Sequence, residues 1–224
     1  MRCVRIRFSK TGRIIYVSHL DVNRMMTRAV RRAELPMWYT EGFNPHPYIA
    51  FALPLSLGQS SRCEYMDIRI ESDMTNNEVK EKLSAVMPEG VEIISVTDPV
   101  YNINEISAAK YQVKLIFNSE NEADIFGKKA DELMNGGELT AEKRGKQGRR
   151  KVLKQVNLIE QIFEKSVEIK DNSVILNLTV AAGSSVNLNP SLLIETLEKQ
   201  VEIYSDLQYI ERKDLIIEGG RSFC

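Results

Sequence analysis

Residues 4–34 read VRIRFSKTGRIIYVSHLDVNRMMTRAVRRAE, and a change of period inside this stretch decides the fold. Val4, Ile6 and Phe8 alternate with Arg5 and Arg7, the period of two that turns one face of a strand toward a core. Lys10, Thr11 and Gly12 read as a turn, and residues 13–17 as a second extended piece. Ser18 is placed to cap a helix, and Asp21 three positions on gives a start resembling a capping box. Val22, Met25, Met26, Ala29 and Ala33 then recur at helical spacing, so the helix runs to about Glu34 and stops before Pro36.

Beyond this helix, residues 41–47 form a loop by their glycine and prolines. Strands are expected at 49–55 and 64–70. A helix capped by Asp73 or Thr75 follows, ending near Met87, and then a strand at 91–96. This β-α-β-β-α-β order is the split, ferredoxin-like arrangement. The pattern recurs with a strand at 111–117, a helix at 122–134, extended segments at 151–159 and 174–180, a helix from Asn189-Pro190 to about Gln200, and a strand at 209–217. The expected fold is α+β, built of tandem ferredoxin-like (βαββαβ) domains at 1–104 and 105–224. One continuous α+β domain is the alternative.

A chain 43% hydrophobic and 27% charged can bury a core and is not disordered by composition. No apolar run approaches the roughly 20 residues that span a bilayer. The opening alternation of Met1 to Arg5 suits neither a signal nor a transit peptide, so a cytoplasmic location without membrane contact is expected. Cys3, Cys63 and Cys224 are too widely spaced for a disulfide framework or an iron–sulfur triplet. His19 and His46 belong to no short Cys/His pattern, so neither a metal nor another cofactor is expected.

Charge is concentrated near the start of the chain. Between Met1 and Arg62, ten basic residues, among them Lys10 and Arg13, meet only three acidic ones. Arg24, Arg28, Arg31 and Arg32 fall on the helix side opposite its apolar stripe, without acidic partners four positions away. Guanidinium forks suit two-point contact with phosphate or carboxylate, so this stripe reads as a binding face for an anion or partner; a plain solvated face is the alternative. A second basic run holds Lys143, Arg144, Lys146, Arg149, Arg150, Lys151 and Lys154, with glycines and no acidic residue. It reads as a flexible loop or hairpin tip able to follow a nucleic-acid backbone, or as a merely solvated loop. Trp38, Tyr39, Phe43 and Tyr48 could stack bases, but the preferred reading places them in the core under the long loop.

His19 lies in the first turn of the helix, where the helix end lowers imidazole basicity, and His46 lies between two prolines. Both are read first as structural or polar-contact residues, and second as candidate acid/base groups. Asp21 is accounted for by capping and Asp67 by a strand surface. No nucleophilic triad and no phosphate-cradling glycine loop can be assembled.

Residues 7–12 (RFSKTG), Ser18-His19-Leu20-Asp21, Arg24, Arg28-Ala29, Arg31-Arg32-Ala33, Leu35-Pro36, residues 41–47 (EGFNPHP), residues 51–55 (FALPL), Gly58 and Glu64-Tyr65 resemble the bacterial radical-SAM-linked protein family, a domain of unknown function. The resemblance is dense over the first third of the chain and loose beyond it. Members of that family occur alone or fused behind cobalamin-type radical SAM enzymes. The resemblance therefore implies an accessory role, with a radical SAM enzyme as partner and the cluster held by that partner. There is a weaker likeness, in fold alone, to CRISPR repeat-processing endoribonucleases.

The leading expectation is a non-catalytic adaptor that binds RNA or a ribosome-related substrate. Its contacts would come from Lys10, Arg13, His19, Arg24, Arg28, Arg31, Arg32, Asn44, His46 and the basic run at 143–151. A metal-independent endoribonuclease with a histidine acid/base is the alternative, and a structural subunit with basic faces for solubility is a third.

Overall fold

The computed structural model describes residues 1–147, 150–183 and 186–223, with the backbone alone for residues 143–147 and 150–154. The fold is α+β, with four α-helices among the described residues. The chain divides into two units, Met1–Ile106 with Arg212–Cys224, and Ser107–Glu211. Residues 212–224 thus group with the first unit, whereas the sequence pattern places them in the second.

In the first unit β1 (Arg2–Lys10) forms as the alternation requires, with Val4, Ile6 and Phe8 buried on one face. β2 (Ile49–Phe51) pairs antiparallel with β3 (Ser60–Ile70). β1 is antiparallel both to β3 and to β4 (Ile93–Thr97). α1 (His19–Arg32) and α2 (Asn76–Ser84) close over the apolar face: Val22, Met26, Ala29 and Val30 from α1, and Val79 and Leu83 from α2, join the strand side chains in one core. Ser18 caps α1 by accepting from the Asp21 amide at 3.2 Å. Thr75 and Glu78 cap α2 reciprocally.

Two local readings are corrected. Of the residues expected to be extended at 13–17, Val17 alone is; Gly12–Tyr16 is a 3-10 helix. Gly12 turns the chain with φ +60°, and the Thr11 amide bonds the Gly90 carbonyl at 2.9 Å, which takes the chain off the β1 ladder. The strand expected at 49–55 stops at Phe51, because Pro54 has no amide to continue a ladder.

The opposite face of β1 carries an internal ion pair. Arg5 sends Nε and Nη2 to the two Asp67 carboxylate oxygens, both at 2.8 Å, and Nη2 also to the Tyr101 carbonyl at 2.8 Å. Its guanidinium lies 4.1 Å from the ring centre of Phe223, which meets Tyr65 edge-on. Asp67 is therefore a buried partner rather than a surface carboxylate.

In the second unit β9 (Ser173–Ala181) is antiparallel to both β5 (Ile106–Ile116) and β8 (Ile162–Lys170). α3 (Glu120–Asn135) buries Phe126, Ala130 and Met134, and α4 (Pro190–Val201) buries Leu193, Ile194 and Leu197. Gly127 of α3 leaves room for Ile169, whose Cγ1 would lie 2.6 Å from an added Cβ. The extended segment expected at 151–159 is instead half of a separate hairpin, β6 (Thr140–Gln147) with β7 (Arg150–Asn157). β10 (Leu207–Ile217) starts in this unit, and its residues from Arg212 onward belong to the first.

Gly90 is the position where backbone geometry is least forgiving. Its φ is +88°, and an added Cβ would stand 2.4 Å from the Thr11 carbonyl oxygen. Gly90→Ala should lower stability by about 2 kcal/mol or more, while Gly219→Ala, also at positive φ but facing open space, should cost about 1 kcal/mol. Urea unfolding midpoints of the two variants check this.

Candidate functional site

Helical spacing puts Arg24, Arg28 and Arg32 on one side of α1, where with Asp21, Met25 and Pro88 they line an open cleft of about 450 Å³. The cleft lies between α1 and the segment that follows α2. Not all of its guanidinium groups are free. Arg24 bonds Asp21 at 2.9 Å, a partner three rather than four positions earlier, and Arg32 donates to the Val86 carbonyl. Arg28 and Arg31 are exposed and have no ion-pair or hydrogen-bond partner among the described residues, and the same is true of Arg13.

Elsewhere near the N-terminus, arginine serves the fold. Arg2 holds the Met74 carbonyl at 2.6 Å and the Asn76 side chain at 2.9 Å; Arg7 holds the Arg62 carbonyl at 3.1 Å; Arg62 faces Glu92 at 3.6 Å. The surplus of positive charge counted along the chain therefore overstates what solvent sees.

The loop at 41–47 is clasped at its base. The Thr40 amide donates to the His46 carbonyl at 2.9 Å, the His46 amide to Thr40 Oγ1 at 3.3 Å, and His46 Nδ1 stands 3.1 Å from both Thr40 Oγ1 and the Asn44 carbonyl. His46 is thereby a structural clasp. The loop stem rests on Arg69, whose guanidinium lies 4.2 Å from the Tyr48 ring centre and 5.2 Å from that of Trp38. Trp38 and Tyr48 are half-buried by this stack. Tyr39 and Phe43 are not core residues: Tyr39 is exposed, and Phe43 at the loop tip is wholly so, at 105%. Asn44 is exposed beside it.

The other concentration of chemistry is a charged cluster that sequence reading did not assemble. Lys10, 3% exposed, is not a surface contact; its Nζ donates to the Ile15 carbonyl at 3.1 Å. Glu64 is 6% exposed, and Arg212 is wholly buried. Arg212 meets both Glu64 carboxylate oxygens at 2.6 Å through Nη2 and bonds the Leu53 carbonyl at 2.8 Å. His19, half-buried in the first turn of α1, sets its ring edge-on to Phe51 with centroids 5.2 Å apart. The motifs containing Lys10, His19, Phe51, Leu53 and Glu64, scattered along the chain, thus meet at one end of the helix-covered face. Arg212 alone lies outside every quoted motif, and no local pattern marks it.

Electrostatics follows from this geometry. Burial pushes the Lys10 ammonium below the ordinary lysine range, with Glu64 opposing the shift and Arg212 adding to it. His19 is likewise held below its ordinary value, chiefly by burial, opposed by Glu64 and reinforced by Lys10 and Arg212. The direction is the one expected from the helix end; the cause is desolvation and neighbouring cations. Burial raises both thiols, that of Cys63 to about 11, so neither is a ready nucleophile. Cys224 lies outside the described residues, and no group of three His, Cys, Asp or Glu able to hold a metal occurs among them.

In the β6–β7 hairpin, backbone register places Lys143 opposite Lys154, Lys146 opposite Lys151 and Gln147 opposite Arg150; Arg144 pairs with Leu153. Most of the run is thus strand rather than loop. Arg149 lies outside the described residues. No helix among the described residues is long and apolar enough to cross a membrane.

A family model for an uncharacterized protein conserved in bacteria (DUF2344) matches residues 3–190. No curated protein sequence matches the chain. Among solved structures, the chain is similar to part of a Cbf5–Nop10–Gar1 complex at TM-score 0.49 and 11% identity, over 95% of this chain and 48% of that one. It thus spans about half the length of that neighbour. An unknown protein from Galdieria sulphuraria is similar at TM-score 0.27 and 8% identity, over 94% and 98% of the two chains.

The lowered basicity of His19 has a pH consequence. The unfolded chain takes up this proton more readily than the folded one, so stability contributed by neutral His19 is lost as pH falls through about 6.5. Melting temperature should therefore decline between pH 7.5 and 5.5, and His19→Gln should flatten that decline. Parallel thermal melts across the range test it.

Proposed function

The chain belongs to this DUF2344 family of bacterial proteins, and we propose that it is a non-catalytic accessory protein for a radical SAM modification enzyme, binding RNA or a ribosome-related substrate in the cytoplasm. The observation that carries the proposal is the pair Arg28 and Arg31, exposed on α1 without partners among the described residues, beside a cleft that Arg28 helps to line. Leaving guanidinium groups unpaired on one face gains nothing for the fold and suits two-point contact with phosphate. The loop, clasped at its base, offers the fully exposed Phe43 at its tip as an apolar contact. The basic β6–β7 hairpin supplies further cationic positions. We also read the two units as tandem ferredoxin-like domains. The strand orders β4-β1-β3-β2 in the first and β10-β5-β9-β8 in the second support this, with the β6–β7 hairpin as an insertion.

The double variant Arg28→Glu/Arg31→Glu should weaken RNA retention about tenfold or more at physiological salt. It should also make the log–log salt slope shallower by about 0.7 for each lost single-strand phosphate contact. Filter binding across a salt series, with thermal melts to show an intact fold, reads both quantities. Unchanged RNA and partner binding would reject the proposal.

A second reading, a metal-independent ribonuclease, draws on one contrast: the His19 ring, its basicity lowered chiefly by burial, has no hydrogen-bond partner among the described residues, while His46 is committed to its loop. Purified protein incubated with total cellular RNA and a chelator tests it. Cleavage that persists in His46→Ala and vanishes in His19→Ala would favour the enzyme; no cleavage by the unmodified chain would dismiss it.

A further inference from the structure

Cys3, Tyr48, Arg69 and Tyr101 line one cleft of about 410 Å³ within the first unit. Its floor comes from two paired strands, on the face that alternates with the buried Val4, Ile6 and Ile68. Cys3 of β1 stands opposite Arg69 of β3, and Arg5 opposite Asp67. Its wall is the segment 99–104, which follows β4. A cleft of this volume falls in the range of sites for small molecules, roughly 300–1,000 Å³.

The wall is tied to the floor. Arg5, while gripping Asp67, donates to the Tyr101 carbonyl at 2.8 Å. The Asn104 amide donates to the Asn102 side chain at 2.9 Å, and the Asn102 amide to the Glu105 carboxylate at 2.6 Å. Less ordering is left for a ligand to supply.

Charge among the lining residues does not balance. Asp67 is answered by Arg5, but the half-buried Arg69 guanidinium has no hydrogen-bond or ion-pair partner among the described residues. The Tyr48 and Trp38 rings engage its flat side, and the N–H edge left over is a fork that matches two oxygens of an anion. Arg221, 5.4 Å from the Tyr101 ring centre, is exposed, and solvent screens it. Pro99, Val100 and Ile103 give the wall an apolar surface, and the side-chain amide of Asn104 has no partner among the described residues.

We propose that this cleft binds a small organic acid through one carboxylate, with the carboxylate on Arg69 and the apolar body along Tyr48, Pro99 and Val100. One unanswered cation suits a single negative charge, whereas a phosphate monoester brings nearly two beside Asp67. A phosphodiester carries one charge but needs room for two ester arms. A carboxylate ends its molecule and reaches a half-buried guanidinium. The site is separate from Arg28 and Arg31 on α1 and does not depend on RNA binding there.

Cys3 reports occupancy, because it lines the cleft and is only partly buried, while Cys63 is buried. The probes are benzoate, cyclohexanecarboxylate, neutral benzamide, phenyl phosphate and a uridine dinucleotide. Each is titrated at pH 8 while iodoacetamide alkylation of the Cys3 peptide is followed by mass spectrometry. A ligand at about ten times its Kd leaves roughly one cleft in eleven open, so Cys3 should react about tenfold more slowly. The carboxylates should protect Cys3, and benzamide should not. Arg69→Gln, compared with its own rate without probe, should need about tenfold more carboxylate or more for the same protection. Val100 is 76% exposed, so Val100→Glu places a like charge beside the ligand without disturbing the core, and should weaken protection in the same direction. Thermal melts show that both variants fold. Equal protection by benzamide, protection by phenyl phosphate or the dinucleotide in place of the carboxylates, or none from any probe at its solubility limit overturns the proposal. So does protection undiminished in both variants, whatever Arg28 and Arg31 do to RNA retention.

Discussion

Among the described residues Arg212 is the largest side chain wholly removed from solvent, and it is charged. Such a group is tolerable only when its donors meet acceptors in good geometry. Here Glu64 takes both prongs of the guanidinium, and the Leu53 and Pro54 carbonyls take the remaining directions. That contact ties the stretch following β2, which has few ladder bonds of its own, to the body of the first unit. With this stretch held, Phe51 can stand between Phe8 and His19, at centroid distances of 6.2 and 5.2 Å. Phe51, which meets the histidine, and Leu53, whose carbonyl meets Arg212, are two residues apart on this stretch.

Arginine does two different jobs in this unit. Arg5 and Arg212 act as internal fasteners with carboxylate partners, and Arg2 and Arg7 hold backbone carbonyls. Arg13, Arg28 and Arg31 do neither among the described residues, and so their charge is not taken up by the fold. A composition count cannot make this separation, because the partners that neutralise a guanidinium lie far away in sequence. Asp67 is 62 residues from Arg5, and Glu64 is 148 from Arg212.

What could be read from the chain was whatever is decided within a few residues. The alternation of Val4, Ile6 and Phe8, the stripe from Val22 to Ala29 and the caps at Ser18 and Thr75 are local, and they produced the elements expected of them. Misreadings arose where a distant contact overrode a local signal. Residues 13–16 look extended but are turned by the Thr11–Gly90 contact, and Lys10 looks like a turn residue at the surface but is drawn inward beside Glu64. β8 is hard to read because it is largely exposed and its first half, Ile162-Phe163-Glu164-Lys165-Ser166, breaks the period of two, while the basic hairpin before it takes up the extended pattern. His46 was legible as a loop residue; its clasp on Thr40 was not, since that depends on the loop closing back on itself.

The division of β10 between the two units has a consequence for biosynthesis. Translation delivers residues 1–106 long before Arg212 leaves the ribosome, with the whole of 107–211 made in between. During that interval Glu64 has no guanidinium to receive it and Tyr65 has no Phe223 against it, so the nascent N-terminal half waits in an unfinished state. Maturation of the segment that appears first is thus timed by the segment that appears last.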